Sequence, residues 1–209
     1  MFNEIYSKIE SGNVKVLNAS KHWEYLHKAL NEAENQVMLA SPFIGSNVID
    51  REFLSNLECS LKRDVTVYIL HGALQTSKGT QQNYFSIVGE LEKLAISYKN
   101  FILREIPGFH SKLIVCDDKF AVMTSLNLLS FRAYNNRQES SEIGLVVSDK
   151  ETVATLFHSI LSKAPGVIEA LFNAALEAIE DKGLHLAMLE AKNETPMNLD
   201  AALAELEKE

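Results

Sequence analysis

A chain of 209 residues, 46% hydrophobic and 23% charged, is long enough to close one sizeable core and has the balance of an ordinary globular domain. Its formal net charge of −8 argues against a general nucleic-acid coat, which needs clustered Lys and Arg, but leaves room for a local basic groove. Two cysteines, Cys59 and Cys116, give neither a disulfide framework nor a four-ligand zinc set. No basic-then-apolar leader opens the chain and no apolar run is long enough to span a membrane, so a reducing, cytoplasmic setting is the expectation.

In chain order, residues 13–18 read as a short first strand. Residues 20–34 carry Trp23, Leu26 and Leu30 at helical spacing, with Ser20 as the expected N-cap. The apolar run Gln36–Ser41, stopped by Pro42, predicts a strand. Residues 48–62 return to the helical period through Ile49, Phe53, Leu57 and Leu61, and Val65–Leu70 is a β-branched strand. A polar loop from His71 to Gln81 leads into a helix over 83–97, and Phe101–Arg104 predicts a further strand. Strands and helices alternating at these lengths imply an α/β layer with a sheet in the middle.

The pattern then changes. Residues 109–117, 120–125 and 142–148 read as three strands with little helix between them, the first two as a tight antiparallel pair, so the sheet is expected to be mixed. From residue 150 the chain turns helical: 150–162, an alanine- and leucine-rich 166–181 and, after Thr195-Pro196, a short acidic helix over 198–209 that Asn198 caps. The expected fold class is α/β, a mixed β-sheet sandwiched between helices, with a C-terminal helical extension.

The densest group of reactive residues lies between Phe109 and Asn127: His110-Ser-Lys112, then Asp117, then Ser125-Leu-Asn127. If Asp118-Lys119 is a two-residue turn, Asp117 pairs with Phe120; counting back sets Lys112 opposite Ser125 and His110 opposite Asn127. Side chains two apart share a face, so these four are expected on one face as two cross-strand pairs. Asp117, at an odd offset from His110, falls on the other face beside the turn and reads as an anchor. A lone histidine is more often a satisfied structural residue and a lone lysine a surface charge. The Ser-x-Asn on the matched strand is what tells against coincidence. Lysine, serine and asparagine donors can neutralise the oxygens of a phosphodiester, whose charge otherwise repels a nucleophile such as histidine.

These residues resemble the motif of the phospholipase D superfamily: His-x-Lys-x4-Asp, then a Gly-Ser-x-Asn-like segment and a downstream Glu. The first part is complete at His110, Lys112 and Asp117. The second is Thr124-Ser125-Leu126-Asn127, with Thr where the family often has Gly. The downstream acid matches best at Glu142, just before the apolar run Gly144–Val147, with Glu139 as the rival. Upstream, Val37–Phe43, a helix and Asp64–Leu70 are similar to the opening strand–helix–strand of such a domain. The likeness spans residues 20–162 and does not account for the helices beyond. It implies a phospholipase D-like catalytic domain over 1–163 and a helical extension over 164–209.

The resemblance implies a metal-independent phosphodiesterase with no cofactor. His110 forms a phosphohistidine, Lys112, Ser125 and Asn127 bind the phosphate, and Glu142 holds the other ring nitrogen. A second histidine must protonate the leaving oxygen and later activate water. His22, His27, His71, His158 and His185 each lack a lysine two residues on; His71 follows a strand and could line the mouth of the site. The motif occurs once. Single-copy members pair two chains, so an isologous homodimer with a His110 from each is expected; the rival is that the chain is one half of a longer two-motif protein. The members most similar in layout are dimeric bacterial endonucleases. Arg132, Tyr134 and Arg137, between Asn127 and Glu142, suit nucleic acid. The acidic C-terminal helices suit partner or dimer packing better than a membrane surface. Nucleic acid is the expected substrate, with phospholipid hydrolysis and a non-catalytic phosphate- or nucleic-acid-binding module as alternatives.

Overall fold

The computed structural model describes residues 12–72, 78–131 and 142–164, and beyond them 166–167, 179 and 182–185. The chain divides into two compact units, Met1–Ala164 and Pro165–Glu209. In the second, the described residues 167, 179 and 182–185 are helical. The rest of the helices expected over 166–181 and 198–209 falls outside the described residues, as do Arg132, Tyr134, Arg137 and Glu139.

The first unit begins with alternation: β1 (Val14–Asn18), α1 (His22–Glu32), β2 (Gln36–Ser41), α2 (Arg51–Lys62), β3 (Thr66–His71), α3 (Lys78–Ser97) and β4 (Phe101–Glu105). Three strands follow, β5 (Leu113–Cys116), β6 (Phe120–Thr124) and β7 (Ile143–Val147), and then α4 (Lys150–Leu161). They form one sheet in the order β1-β7-β6-β5-β2-β3-β4. The pairs β2–β3 and β3–β4 are parallel, as strands joined through helical crossovers must be. The other four pairings are antiparallel. The sheet is therefore mixed.

Helices cover both of its faces. Leu26, Ala29 and Leu30 of α1, Phe53, Leu57 and Leu61 of α2 and Leu91 of α3 pack with Val37, Leu39, Val67, Ile69, Ile114, Cys116 and Val122 in one core. The residues alternating with these, such as Met38, Tyr68, Leu70 and Val115, are buried as well. On that side Phe157 of α4 meets the Tyr68 ring edge-on, centroids 5.4 Å apart. A strand buried on both faces needs apolar residues throughout, which is why β2, β3 and β5 read as unbroken apolar runs.

Local chemistry sets the helix starts. Asp50 caps α2, its carboxylate accepting from the Phe53 N–H at 2.9 Å, and Asp149 caps α4 through the Thr152 N–H at 3.0 Å. Ser20 does not cap α1. A 3-10 turn over Ala19–Lys21 precedes the helix, and the Ser20 hydroxyl donates to Asn18 Oδ1 instead. The helix expected from residue 83 begins at Lys78; its first residues, Lys78 to Asn83, carry no apolar period that would mark the start in the sequence.

The β5–β6 hairpin differs from expectation by one residue. Cys116, not Asp117, pairs with Phe120, and the loop is three residues long, Asp117 to Lys119. Asp117 sits at φ +49°, a left-handed conformation that aspartate tolerates better than most residues. Extending this register sets Lys112 opposite Thr124, whose N–H donates to the Lys112 carbonyl at 3.3 Å. The cross-strand pairing of Lys112 with Ser125 and of His110 with Asn127 is therefore not formed. The regular strands end at Leu113 and Thr124, so the pleat no longer governs where residues 110–112 and 125–127 point.

Candidate active site

The site residues cluster at the end of the sheet where β5 begins, β6 ends and β7 begins. The chain arrives from β4 through a tight turn at Ile106-Pro107-Gly108-Phe109. The Phe109 N–H donates to the Ile106 carbonyl at 3.1 Å, and Gly108 takes φ +71°, which a side chain would disfavour. Phe109 is buried and fixes the approach; His110, next along, is exposed. Gly72, after β3, supports this segment from below. A Cβ there would lie 2.7 Å from the Pro42 carbonyl oxygen and 2.9 Å from that of Phe109, so the close passage of three backbones needs glycine.

Lys112 Nζ lies 3.2 Å from His110 Nδ1 and 3.4 Å from the His110 carbonyl oxygen. A charged ammonium can only donate, so the His110 Nδ1 facing it is an acceptor and Nε2 carries the ring hydrogen in a neutral ring. Across the sheet end, the Ser125 hydroxyl donates to the Glu142 carboxylate in a short hydrogen bond, and its oxygen lies 3.2 Å from the Ile143 N–H. The Ser125 N–H closes the contact to the Ile143 carbonyl at 3.1 Å. Asn127 is half-buried, and its Oδ1 has no hydrogen-bond partner among the described residues. Its carbonyl accepts from Ser130 and Phe131, a turn that starts the next loop. The structure thus holds His110 with Lys112 and Ser125 with Glu142, and places Thr124 between the two pairs.

Asp117 lies at the opposite end of the hairpin. Its carboxylate accepts three backbone N–H groups, from Glu34 and Asn35 at 2.9 Å and Gln36 at 2.8 Å, and Lys119 Nζ lies 3.3 Å away. Burial alone would raise its pKa, but these backbone donors and Lys119 together hold it below the usual carboxylate value. The same burial, with Asp117 beside it, pushes the neighbouring Cys116 thiol up to about 12, so it is inert as a nucleophile.

The remaining described histidines have other occupations. His71 is buried between Ser41 and Glu105 on the neighbouring strands, and its Nδ1 donates to the Gly72 carbonyl at 2.9 Å. Burial lowers its pKa. His27 Nδ1 lies 2.9 Å from the Asn56 amide nitrogen. His158 and His185 are exposed, His158 on α4. His22, at the start of α1, is buried, with Nδ1 2.9 Å from the Asn18 carbonyl and Nε2 2.6 Å from Thr124 Oγ1. Burial lowers its pKa against the opposing pull of the Ala19 and Asn18 carbonyls and of Glu142. Nothing in the residues around His22 points to this contact. It lies 102 residues from Thr124, and no local motif marks it.

Among the described residues, no group of three or more His, Cys, Asp or Glu side chains is placed to hold a metal ion. No helix among them is long and apolar enough to cross a membrane.

The family model described as "Cardiolipin synthase, PLD-like domain" matches residues 26–163, and the chain belongs to this phospholipase D-like family. A second model, the RelB antitoxin, matches residues 169–208 of the C-terminal unit. No curated protein matches the chain by sequence. Among solved structures the chain is similar to Nuc, a phospholipase D family member from Salmonella typhimurium. The match has 17% identity and a TM-score of 0.50, covering 72% of this chain and 92% of that one. NucT from Helicobacter pylori matches with 18% identity and a TM-score of 0.51, over 72% and 96% of the two chains. Polyphosphate kinase from Porphyromonas gingivalis matches with 13% identity and a TM-score of 0.50, over 82% of this chain and 32% of the kinase. At these identities the likeness is one of fold.

Proposed function

We propose that the chain is a metal-independent phosphodiesterase that cleaves nucleic acid through a phosphohistidine at His110, in a site completed by a second copy of the chain. The observation that carries the reading is the exposed His110 with Lys112 Nζ 3.2 Å from its ring, beside the Ser125–Glu142 pair. Lys112, Ser125 and Asn127 donate to the non-bridging oxygens of the phosphate, where charge builds as His110 attacks phosphorus. The phosphorus–oxygen bond to the leaving group breaks, and the partner's His110 gives that oxygen a proton. The same histidine then takes a proton from water, whose oxygen displaces phosphorus from the ring nitrogen. A phosphate that draws Lys112 and Ser125 onto its oxygens frees both His110 Nδ1 and Glu142 from the partners they hold here. Glu142 then orients and stabilises the positively charged ring.

Two features support the second copy. His22 and His71 are buried and His27 faces Asn56, whereas His110 is exposed. On the sheet face bordering the site, Val16 is 76% exposed and Ile143 59% exposed; Val16, the half-exposed Leu145 and the half-exposed Met123 form one cross-strand row, and Ile143 lies two residues from Leu145 along β7. An apolar patch of this kind beside an incomplete site suits isologous pairing. Nucleic acid is favoured by the exposed Phe131, whose N–H donates to the Asn127 carbonyl and whose ring offers aromatic surface on which a base can stack. Phosphatidyl transfer on a lipid is the second reading, favoured by the family description's naming of cardiolipin synthase.

The protein is expected to cleave single- or double-stranded DNA or RNA at a rate that EDTA leaves unchanged, and to sediment as a dimer at micromolar concentration. Loss of all cleavage on chelation contradicts the metal-free mechanism. Turnover of a phosphatidyl substrate alone assigns the chain to the lipid reading. A strict monomer that is fully active contradicts the two-chain site.

A further inference from the structure

We infer that His22 and Thr124 are positioning residues that hold the Ser125–Leu126–Asn127 turn in its phosphate-binding shape, through a hydrogen-bond relay running from the β1–α1 junction to the sheet end. The inference rests on the phosphate-binding reading of Ser125 and Asn127.

The direction of the relay follows from its partners. His22 is 1% exposed, and its Nδ1 lies 2.9 Å from the Asn18 carbonyl oxygen and 3.2 Å from that of Ala19. Carbonyl oxygens only accept, so Nδ1 carries the hydrogen. In a neutral ring Nε2 is then the acceptor, and Thr124 Oγ1 is the donor, at 2.6 Å to Nε2 against 3.3 Å to its other acceptor, the Ile143 carbonyl. With its hydrogen committed to His22, the Thr124 oxygen is left to accept, and the Leu126 N–H donates to it at 3.0 Å. That bond spans two residues and closes a tight turn with Ser125 at its centre. Leu126, 3% exposed, packs inward and ties down the other side.

The surroundings are shaped for this contact. A Cβ on Gly144 would lie 2.6 Å from His22 Nε2 and 3.2 Å from the Met123 carbonyl oxygen, so β7 passes the ring only as glycine. Immediately after Thr124, the Ser125 hydroxyl meets Glu142 and its N–H meets the Ile143 carbonyl. If Thr124 lacked its hydroxyl, the buried Nε2 would lose its donor and Leu126 its acceptor, and the turn carrying two phosphate donors would relax. Neither His22 nor Thr124 is assigned contact with substrate, so the effect reaches the reaction only through the turn.

The experiment compares wild type with Thr124→Val and Thr124→Ser in three readouts. These are 15N NMR of the His22 ring, the dissociation constant for inorganic phosphate, and KM against kcat on a cleavable diester. The wild-type ring is expected to show a protonated Nδ1 and a bare Nε2 whose resonance moves in the valine variant. Thr124→Val is expected to weaken phosphate binding about tenfold, the equivalent of one lost hydrogen bond. Its KM is expected to rise, and its unfolding midpoint to fall by a few degrees as the buried His22 Nε2 and the Leu126 N–H lose their partner. Thr124→Ser restores the hydroxyl and is expected to bind phosphate within about twofold of wild type. A His22 ring protonated on Nε2 overturns the relay, whatever the phosphate result. Wild-type phosphate affinity in Thr124→Val overturns the positioning role, and Thr124→Ala repeats that test if valine disturbs the fold. A wild-type protein with the relay intact but no affinity for phosphate overturns the phosphate-binding reading and with it the positioning role, and leaves only the hydrogen-bond geometry of the relay standing.

Discussion

His110→Ala is expected to lower phosphodiester cleavage by at least about a thousandfold, because it removes the group that forms the covalent bond rather than one that assists it. His110 is exposed and its ring faces Lys112, so the variant should melt with the wild type. That separation of activity from stability distinguishes a nucleophile from a structural histidine. Lys112→Ala should lie between wild type and His110→Ala, since it removes one charged donor from the phosphate while leaving the nucleophile. Cleavage by His110→Ala at the wild-type rate, measured on the substrate that the native protein turns over, contradicts the assignment of the site.

Asp117→Ala is expected to do the reverse and reach activity only through the fold. Three backbone N–H groups, from Glu34, Asn35 and Gln36, end on this one carboxylate, and Lys119 adds a fourth contact. Removing it orphans those donors at the entry to β2, a central strand, for a loss of about 3–5 kcal/mol and roughly ten degrees in melting temperature. Asp117→Asn should cost less, because asparagine keeps one acceptor oxygen and tolerates the left-handed backbone. The anchor also carries a pH signature. Its folded pKa lies below the ordinary carboxylate value, so its stabilisation is full above the unfolded value of about 4. That stabilisation is lost as pH falls through the folded value. Thermal melts from pH 7 down to pH 2 should show acid destabilisation in the wild type that is reduced in Asp117→Asn. Parallel profiles in the two proteins would remove Asp117 as its source.

Much of the fold was legible because burial left a pattern in the residues. Val37–Ala40 and Val67–Leu70 are apolar on every position because helices lie on both faces of β2 and β3, and Pro42 marks the end of the first. Glu34–Gln36 and Asp117 illustrate what was not legible. Asp118-Lys119 by itself suggests a two-residue turn, but the left-handed Asp117 that lengthens the loop is sustained by donors 81 to 83 residues away. Turn chemistry of that kind depends on tertiary structure. The same one-residue difference moved Lys112 from Ser125 to Thr124. The residues nevertheless gather at one end of the sheet, because Gly108, Gly72 and the Thr124 turn steer them beyond the strand ends. His22 illustrates the second limit, since a buried histidine at a helix start looks like any core residue until its hydrogen-bond partner is known.

The most direct measurement of the central claim is a rapid quench during turnover, with the protein kept alkaline to preserve a nitrogen–phosphorus bond and mapped by mass spectrometry. The account predicts a phosphoryl-linked substrate fragment on His110, absent in His110→Ala. Steady turnover with His110 unmodified, or an adduct on another residue, would contradict it.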